Sequence, residues 1–169
     1  MPESRLLLKG GFFHVPEAKL AAIERCGAHG IDASRLLLED ATDDYMERMR
    51  DEVDVLLDTY PYPGGGITCD ALYMGVPVIA RYGAGRGSRY AASILAAAGL
   101  SELATATDDD YVARAIGLAR DTELLDVLHH NLRTMMFASP LMDTRRCVQE
   151  MEAAYTAMWA AWEEKQQEA

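Results

Sequence analysis

The sequence predicts an α/β fold: a parallel sheet with helices on both faces, followed by a helical C-terminal extension. Two observations carry this expectation. Short apolar runs recur up to residue 105 and are separated by helix-length segments, and from Asp108 onward the pattern is helical throughout. Strands separated by such segments need crossover connections, which build a parallel sheet with right-handed crossings. At 169 residues the chain is long enough for one domain and too short for two. Residues 1–107 are expected to form the α/β core, with 108–169 packing on it as helices.

The elements follow in order. Arg5–Lys9 is a brief apolar run closed by Gly10-Gly11 and reads as a buried strand. Pro16 opens a helix that ends near Gly27 or Gly30, since proline suits a first turn and glycine the position just past a last one. Arg35–Glu39 is a second strand, and Asp43-Asp44 start a short helix over Tyr45, Met46 and Met49. Val53–Leu57 is a third strand, Asp58–Gly66 a loop, and Ile67–Met74 a helix ended by Gly75. Pro77–Ala80 is a fourth strand; after the loop Gly83–Gly87, Ser88 is expected to cap a helix over Arg89–Ala98. Leu103–Thr105 is a short fifth strand.

Three helices complete the chain: one begun by Asp108-Asp109-Asp110, one capped by Thr122, and one after the Ser139-Pro140 break. The last carries Cys147, Met151, Tyr155, Met158 and Trp162 on one face, and packing across its own domain is the expected use of that stripe. The polar tail Glu163–Ala169 is expected to fray.

Composition removes several function classes. Half of the residues are hydrophobic and a quarter charged, as in a globular protein with a core. Sixteen Lys+Arg against 27 Asp+Glu leave a net charge of -11, which repels phosphate backbones and argues against nucleic acid as a partner. A single phosphorylated small molecule stays compatible, because a helix N-terminus binds an anion locally. No apolar stretch reaches membrane-spanning length and no signal-peptide core opens the chain, so no membrane partner is expected. Cys26, Cys69 and Cys147 are odd in number and widely spaced, which disfavours a disulfide framework or zinc site, fits a cytoplasmic location, and reads as three small buried hydrophobes.

In an open parallel sheet, ligands bind beyond the carboxyl ends of the strands. One such loop runs Tyr60-Pro61-Tyr62-Pro63-Gly64-Gly65-Gly66-Ile67-Thr68-Cys69-Asp70. Its three glycines before a helix let a ligand approach the backbone, and the free amides at a positive dipole end suit a diphosphate. Thr68 can add a hydroxyl donor, and Asp70, one turn in, can accept from ribose hydroxyls; the alternative is a flexible glycine loop with Asp70 as a first-turn acid. A second loop, Gly83-Ala84-Gly85-Arg86-Gly87-Ser88-Arg89, departs from GxGxxG spacing but puts Arg86 and Arg89 on the same sheet edge, either to meet a phosphate or sugar hydroxyl or to face solvent. His14, His29, His129 and His130 have no Ser or Cys partner in a recognisable motif and no metal-ligand spacing. His14 follows the first strand with Phe12 and Phe13 and either lines the same cleft or packs, packing being the expected role. No catalytic residue and no metal ligand is assigned.

These residues carry a resemblance. The run Asp54–Val78 resembles the signature of the O-GlcNAc transferase family of glycosyltransferases, including its bacterial TPR-linked members. Ser88–Ser93 is similar to that family's segment after the next strand, and Ala138–Thr144 with Met151–Trp159 resembles its C-terminal helix. The resemblance implies the C-terminal, Rossmann-like half of a GT-B fold: the nucleotide-sugar-binding half of an inverting, metal-independent enzyme that transfers a sugar such as N-acetylglucosamine from a UDP-sugar to a protein side chain. No cofactor beyond the UDP-sugar donor is implied. Carried over by position, Gly64, Gly65, Gly66, Ile67 and Thr68 would hold the diphosphate, Asp70 the ribose, and Tyr45 or Met46 would lie near the uracil.

Departures qualify that reading. Gly66 and Ile67 stand where the family has threonines, and the histidine near the uracil is absent. The resemblance places Leu6–Lys9 at the domain's second strand, so the first strand, its phosphate-binding lysine and the N-terminal catalytic lobe fall outside this sequence, and Lys9 ends the wrong strand to replace that lysine. The chain is therefore expected to be part of a larger enzyme, inactive alone; TPR repeats upstream are suggested by the resemblance only, not by these residues. The alternative is a degenerate, non-catalytic interaction module of the same fold. A central strand left out exposes two sheet edges, so a re-paired sheet or a homo-oligomer, through unpaired strands or the C-terminal helix, is expected.

Overall fold

The computed structural model describes residues 3–167. It alternates β1 (Leu6–Lys9), α1 (Pro16–Gly27), β2 (Leu36–Glu39), α2 (Tyr45–Glu52), β3 (Leu56–Leu57), α3 (Gly66–Tyr73), β4 (Val78–Arg81), α4 (Tyr90–Ala97) and β5 (Ala104–Thr105). Helices α5 (Asp108–Arg120), α6 (Thr122–Ala138) and α7 (Thr144–Gln167) follow. Every strand pairing is parallel, so the predicted α/β class is the observed one.

The sheet comes in two pieces. β1 pairs with β2 in the register Leu6↔Leu36 to Lys9↔Glu39, and a separate sheet runs β3-β4-β5. Among the described residues no ladder joins β1 to β3, so the strands have not re-paired to close the interruption. The third strand is also shorter than predicted. β3 pairs on one side alone, with Leu56 N–H donating to Pro77 O and Asp58 N–H to Ile79 O, so Val53–Val55 have no ladder to join.

The main core surrounds β4. Val78, Ile79 and Ala80 meet Ala71 and Leu72 of α3, Ala91 and Leu95 of α4, and Leu128, Leu132 and Met136 of α6, all buried. Burying a leucine fully contributes roughly 1.5–3 kcal/mol, so this cluster anchors the β3–α6 region. Gly75 allows α3 and α6 to approach: its φ is +86°, and a Cβ there would lie 2.7 Å from the His129 carbonyl oxygen. The β1–α1–β2 unit buries less, with Phe13 and Leu36 its buried hydrophobics. Glu39 accepts from Arg48 of α2 and pairs with Lys9 at 3.5 Å, which ties α2 to the carboxyl end of this small sheet. The Arg48 guanidinium holds the Glu39 carboxyl below its usual range.

Several local expectations are corrected. Ser88 does not cap α4; its hydroxyl donates to Gly85 O and accepts from Gly83 N–H, because residues 86–89 form a 3-10 turn first. Asp121 rather than Thr122 caps α6, accepting from Leu124 N–H at 2.9 Å. The α7 stripe does not pack across the domain: Met151, Tyr155, Met158 and Trp162 are 50–61% exposed, and Cys147 is exposed as well. Cys26 and Cys69 are half-buried rather than buried. The expected fraying is not seen through Gln167, where α7 is still helical, while Glu168 and Ala169 lie outside the described residues. No helix among the described residues is long and apolar enough to cross a membrane.

Candidate functional site

The glycine loop leaves the carboxyl end of β3 and turns into α3. Asp58, the first residue past β3, shapes it: Oδ1 accepts from Gly64 N–H at 2.7 Å, so one carboxylate clamps a six-residue loop. The carboxylate is buried, and burial raises its pKa against the opposing pull of the Gly64 and Thr59 amides. Tyr111 of α5 donates to the Asp58 carbonyl at 2.9 Å; burial, then the Asp58 charge, pushes its hydroxyl up to about 12. Gly64 has no room for a side chain, since a Cβ would meet Ile67 Cγ2 at 2.5 Å and Thr68 Oγ1 at 2.8 Å.

This packing decides which donors face outward. Gly64 N–H is bound to Asp58, while Thr68 N–H and Cys69 N–H turn back to Gly65 O at 3.1 and 3.2 Å. Gly65, Gly66 and Ile67 supply the unpaired amides of the first helical turn, and Gly66 and Ile67 are exposed. Three N–H groups at a helix start, with the positive end of its dipole behind them, form an anion cradle. The Thr68 hydroxyl is not part of it. Its side chain is fully buried with Oγ1 unpartnered, because its place in the first turn points it beneath Gly64 rather than toward solvent.

Asp70 lies one turn further along α3. Tyr45, at the start of α2, donates its hydroxyl to Asp70 Oδ2 at 2.9 Å, so two residues singled out separately in the sequence meet here. That bond raises the Tyr45 pKa. The neighbouring loop is joined to the glycine loop through Tyr60, whose ring lies 3.8 Å from the Arg81 guanidinium and whose hydroxyl closes against Gly83. Arg81 in turn pairs with Asp108 at 2.7 Å.

Arg86 and Arg89 occupy this second loop, and both are exposed. Arg89 donates Nε–H to Gly83 O at 2.8 Å and so braces its own loop. Among the described residues neither arginine bonds to Gly64–Thr68 or to Asp70. His14 does not pack as expected: it is exposed, 3.4 Å from Asp40, while His129 bonds to the Asp54 carbonyl and His130 to that of Asp126. The sequence reading missed Asp58, Tyr60, Arg81 and Tyr111. An acid directly after a strand and before a glycine run was the one visible signal for Asp58; the others are brought in by tertiary contacts with no local pattern. A separate surface depression is bordered by Thr105, Arg114 and Leu128, and its lining includes none of the residues of the glycine loop.

The sequence model of Glycosyl transferase family 41 matches residues 1–151. The chain belongs to this family. It is 34% identical over 162 residues to the "Probable UDP-N-acetylglucosamine--peptide N-acetylglucosaminyltransferase SPINDLY" of Hordeum vulgare, which covers 94% of this chain and 17% of that relative. It is 31% identical over 135 residues to the Arabidopsis thaliana protein of the same description named SEC, covering 78% of this chain and 14% of the relative. Among solved structures, a lysine-to-methionine mutant of Thermobaculum terrenum O-GlcNAc transferase superposes with a TM-score of 0.86 at 33% identity, covering 94% of this chain and 31% of that one. The family 41 chain described here thus spans about a sixth of the length of the SPINDLY relative and under a third of the solved transferase. The Rossmann-like half-fold expected from the resemblance agrees with that superposition.

Proposed function

We propose that this chain is the donor-binding part of a glycosyltransferase that moves a sugar such as N-acetylglucosamine from a UDP-sugar to a protein side chain. One observation carries the proposal: the unpaired amides of Gly65, Gly66 and Ile67 open α3 at the carboxyl end of a parallel sheet, with Asp70 one turn behind them. Family membership supports the same reaction class.

The amides receive the diphosphate, Asp70 accepts from the ribose hydroxyls, and Tyr45 holds the Asp70 carboxylate in place. Arg86, exposed on the loop after the next strand, brings positive charge to the same sheet edge, and Arg89 keeps that loop in shape. In the reaction an acceptor oxygen bonds to the anomeric carbon, the bond from that carbon to the β-phosphate oxygen breaks, and UDP leaves with the electron pair. The acceptor proton passes to a base that this site does not supply. Negative charge grows on the β-phosphate as the bond breaks, and fixed amides aimed at it stabilise the transition state more than the ground state. Backbone donors in place of threonine hydroxyls leave fewer hydrogen bonds, so donor binding by this chain is weak.

Isothermal titration of the folded chain with UDP tests this. The expected dissociation constant is on the order of 1 mM, about −4 kcal/mol. No heat at millimolar UDP would reject donor binding and favour the degenerate interaction module, a reading to which the exposed α7 face lends support.

A further inference from the structure

Asp58 is a buried carboxylate without a counter-charge, set directly behind the anion cradle. It is 7% exposed, its Oδ1 accepts from Gly64 N–H at 2.7 Å, and its Oδ2 is buried by this chain's own atoms with no partner. Among the described residues no cation pairs with it. Arg81 of β4 is taken by Asp108 of α5 and by the Tyr60 ring. Tyr111 of α5 gives its hydroxyl to the Asp58 carbonyl and stays neutral, its pKa pushed up to about 12. From α3 come the Cys69 thiol, which burial keeps protonated, and Asp70, which accepts from Tyr45. The shape of the loop does not require the charge on Asp58. An asparagine carbonyl would accept from Gly64 as well, and a buried carboxylate without a counter-ion costs stability.

The position of that charge supplies a role for it. Gly64, which Asp58 holds, immediately precedes the cradle amides of Gly65, Gly66 and Ile67. One residue advances the chain by about 3.8 Å and an N–H···O bond spans about 3 Å, so a phosphate on the first cradle amides lies on the order of 8 Å from the carboxylate. At an effective dielectric of about 20, like charges at that separation repel enough to change an equilibrium about tenfold. The repulsion grows with the charge of the ligand. A UDP-sugar carries two negative charges on its diphosphate. The UDP left after transfer adds a third on its terminal phosphate, whose last pKa is about 6.

We propose that Asp58 promotes product release: its buried charge weakens the hold of the cradle on UDP more than on the UDP-sugar. This inference rests on the donor-binding reading of the same loop. Asp58 touches no ligand atom; it shapes the loop through Gly64 and acts on the ligand by charge alone. The transfer step tolerates that charge, because three amides in contact with the phosphate stabilise its developing charge more than a carboxylate behind them opposes it. Once the sugar has left, the added charge faces the buried anion, and UDP is held less tightly than it would be in front of an uncharged side chain. The argument uses only atoms that this chain itself buries, so it does not depend on what lies beyond its ends.

Titration of the folded chain at pH 8 with UDP and with UDP-N-acetylglucosamine, wild type against Asp58→Asn, is the test. Asp58→Asn keeps an acceptor for Gly64 N–H and removes the charge, so it is expected to tighten UDP about tenfold and UDP-N-acetylglucosamine about threefold. Substituting a residue of purely structural role would instead weaken both. A second measurement needs no variant: in a carboxyl carbon NMR titration of wild type, saturating UDP-N-acetylglucosamine should raise the Asp58 pKa by about one unit. Suppose wild-type UDP binding moves the amides of Gly65, Gly66 and Ile67. Then an Asp58→Asn chain that binds UDP no tighter, one that tightens both ligands equally, or an Asp58 pKa unmoved by ligand would each overturn this inference and leave donor binding standing. If neither protein binds UDP, both readings fall.

Discussion

Gly64 and Gly65 are neighbours with opposite tolerances. A methyl at Gly64 collides with Ile67 and Thr68, whereas a Cβ at Gly65 has no atom within 4 Å. Gly64→Ala should cost about 1–3 kcal/mol in urea unfolding, and Gly65→Ala should stay within about 0.5 kcal/mol of wild type. Equal stability of the two variants would show that Gly64 is not packed as described. Asp58 adds a pH signature. Its pKa is raised by burial, so the folded state holds its proton more tightly than the unfolded chain. The penalty of burying the carboxylate is absent below the ordinary aspartate pKa and develops as pH rises through the folded one. The stability of wild type relative to Asp58→Asn should therefore fall as pH is raised from the ordinary aspartate pKa through the higher folded one. A relative stability that rises over that interval would contradict the raised pKa. The glycines and Asp70 were legible because glycine runs and helix-start acids have local signatures; Asp58 carried only the weaker signal of an acid between a strand and a glycine run, and Tyr111, 53 residues away, carried none.

Among the elements, α3 contributes most to the site, and α6 fixes where it sits. Gly75→Ala introduces a Cβ against the His129 carbonyl at a positive φ, so it should destabilise by about 1–2 kcal/mol and push α3 away from α6. The expected consequence is weaker UDP binding from a residue that touches no ligand, measured by unfolding and titration on the same sample. Unchanged binding would mean that the cradle does not depend on this contact. Helix and strand order were legible from the alternation of apolar runs with helix-length segments, and Pro16, Gly75 and the Asp108–Asp110 cluster marked true boundaries. Strand lengths were not, because a ladder's extent depends on both neighbours and β3 has one. The α7 stripe was legible as a stripe, but periodicity shows that a face is apolar without showing what covers it.

Taken whole, the molecule is uneven. The β4-centred core holds nearly all of the buried hydrophobics, while β1–α1–β2 pairs one ladder and buries little. Local stability follows buried contact, so amides of β1, β2 and α1 should exchange with deuterium well before those of β4 and α6. Uniform protection would contradict the two-piece sheet. The site lies on the better-packed side, since β3, α3 and β4 all belong to the large core, and Tyr45 of α2 reaches it through Asp70. The most direct test of the account is an amide NMR titration of the chain with UDP. The account predicts that the Gly65, Gly66 and Ile67 resonances move first and furthest, followed by Asp70, with Gly64 and Thr68 less affected because their N–H groups are already bonded. Shifts confined to other elements, or none at saturating UDP, would contradict it.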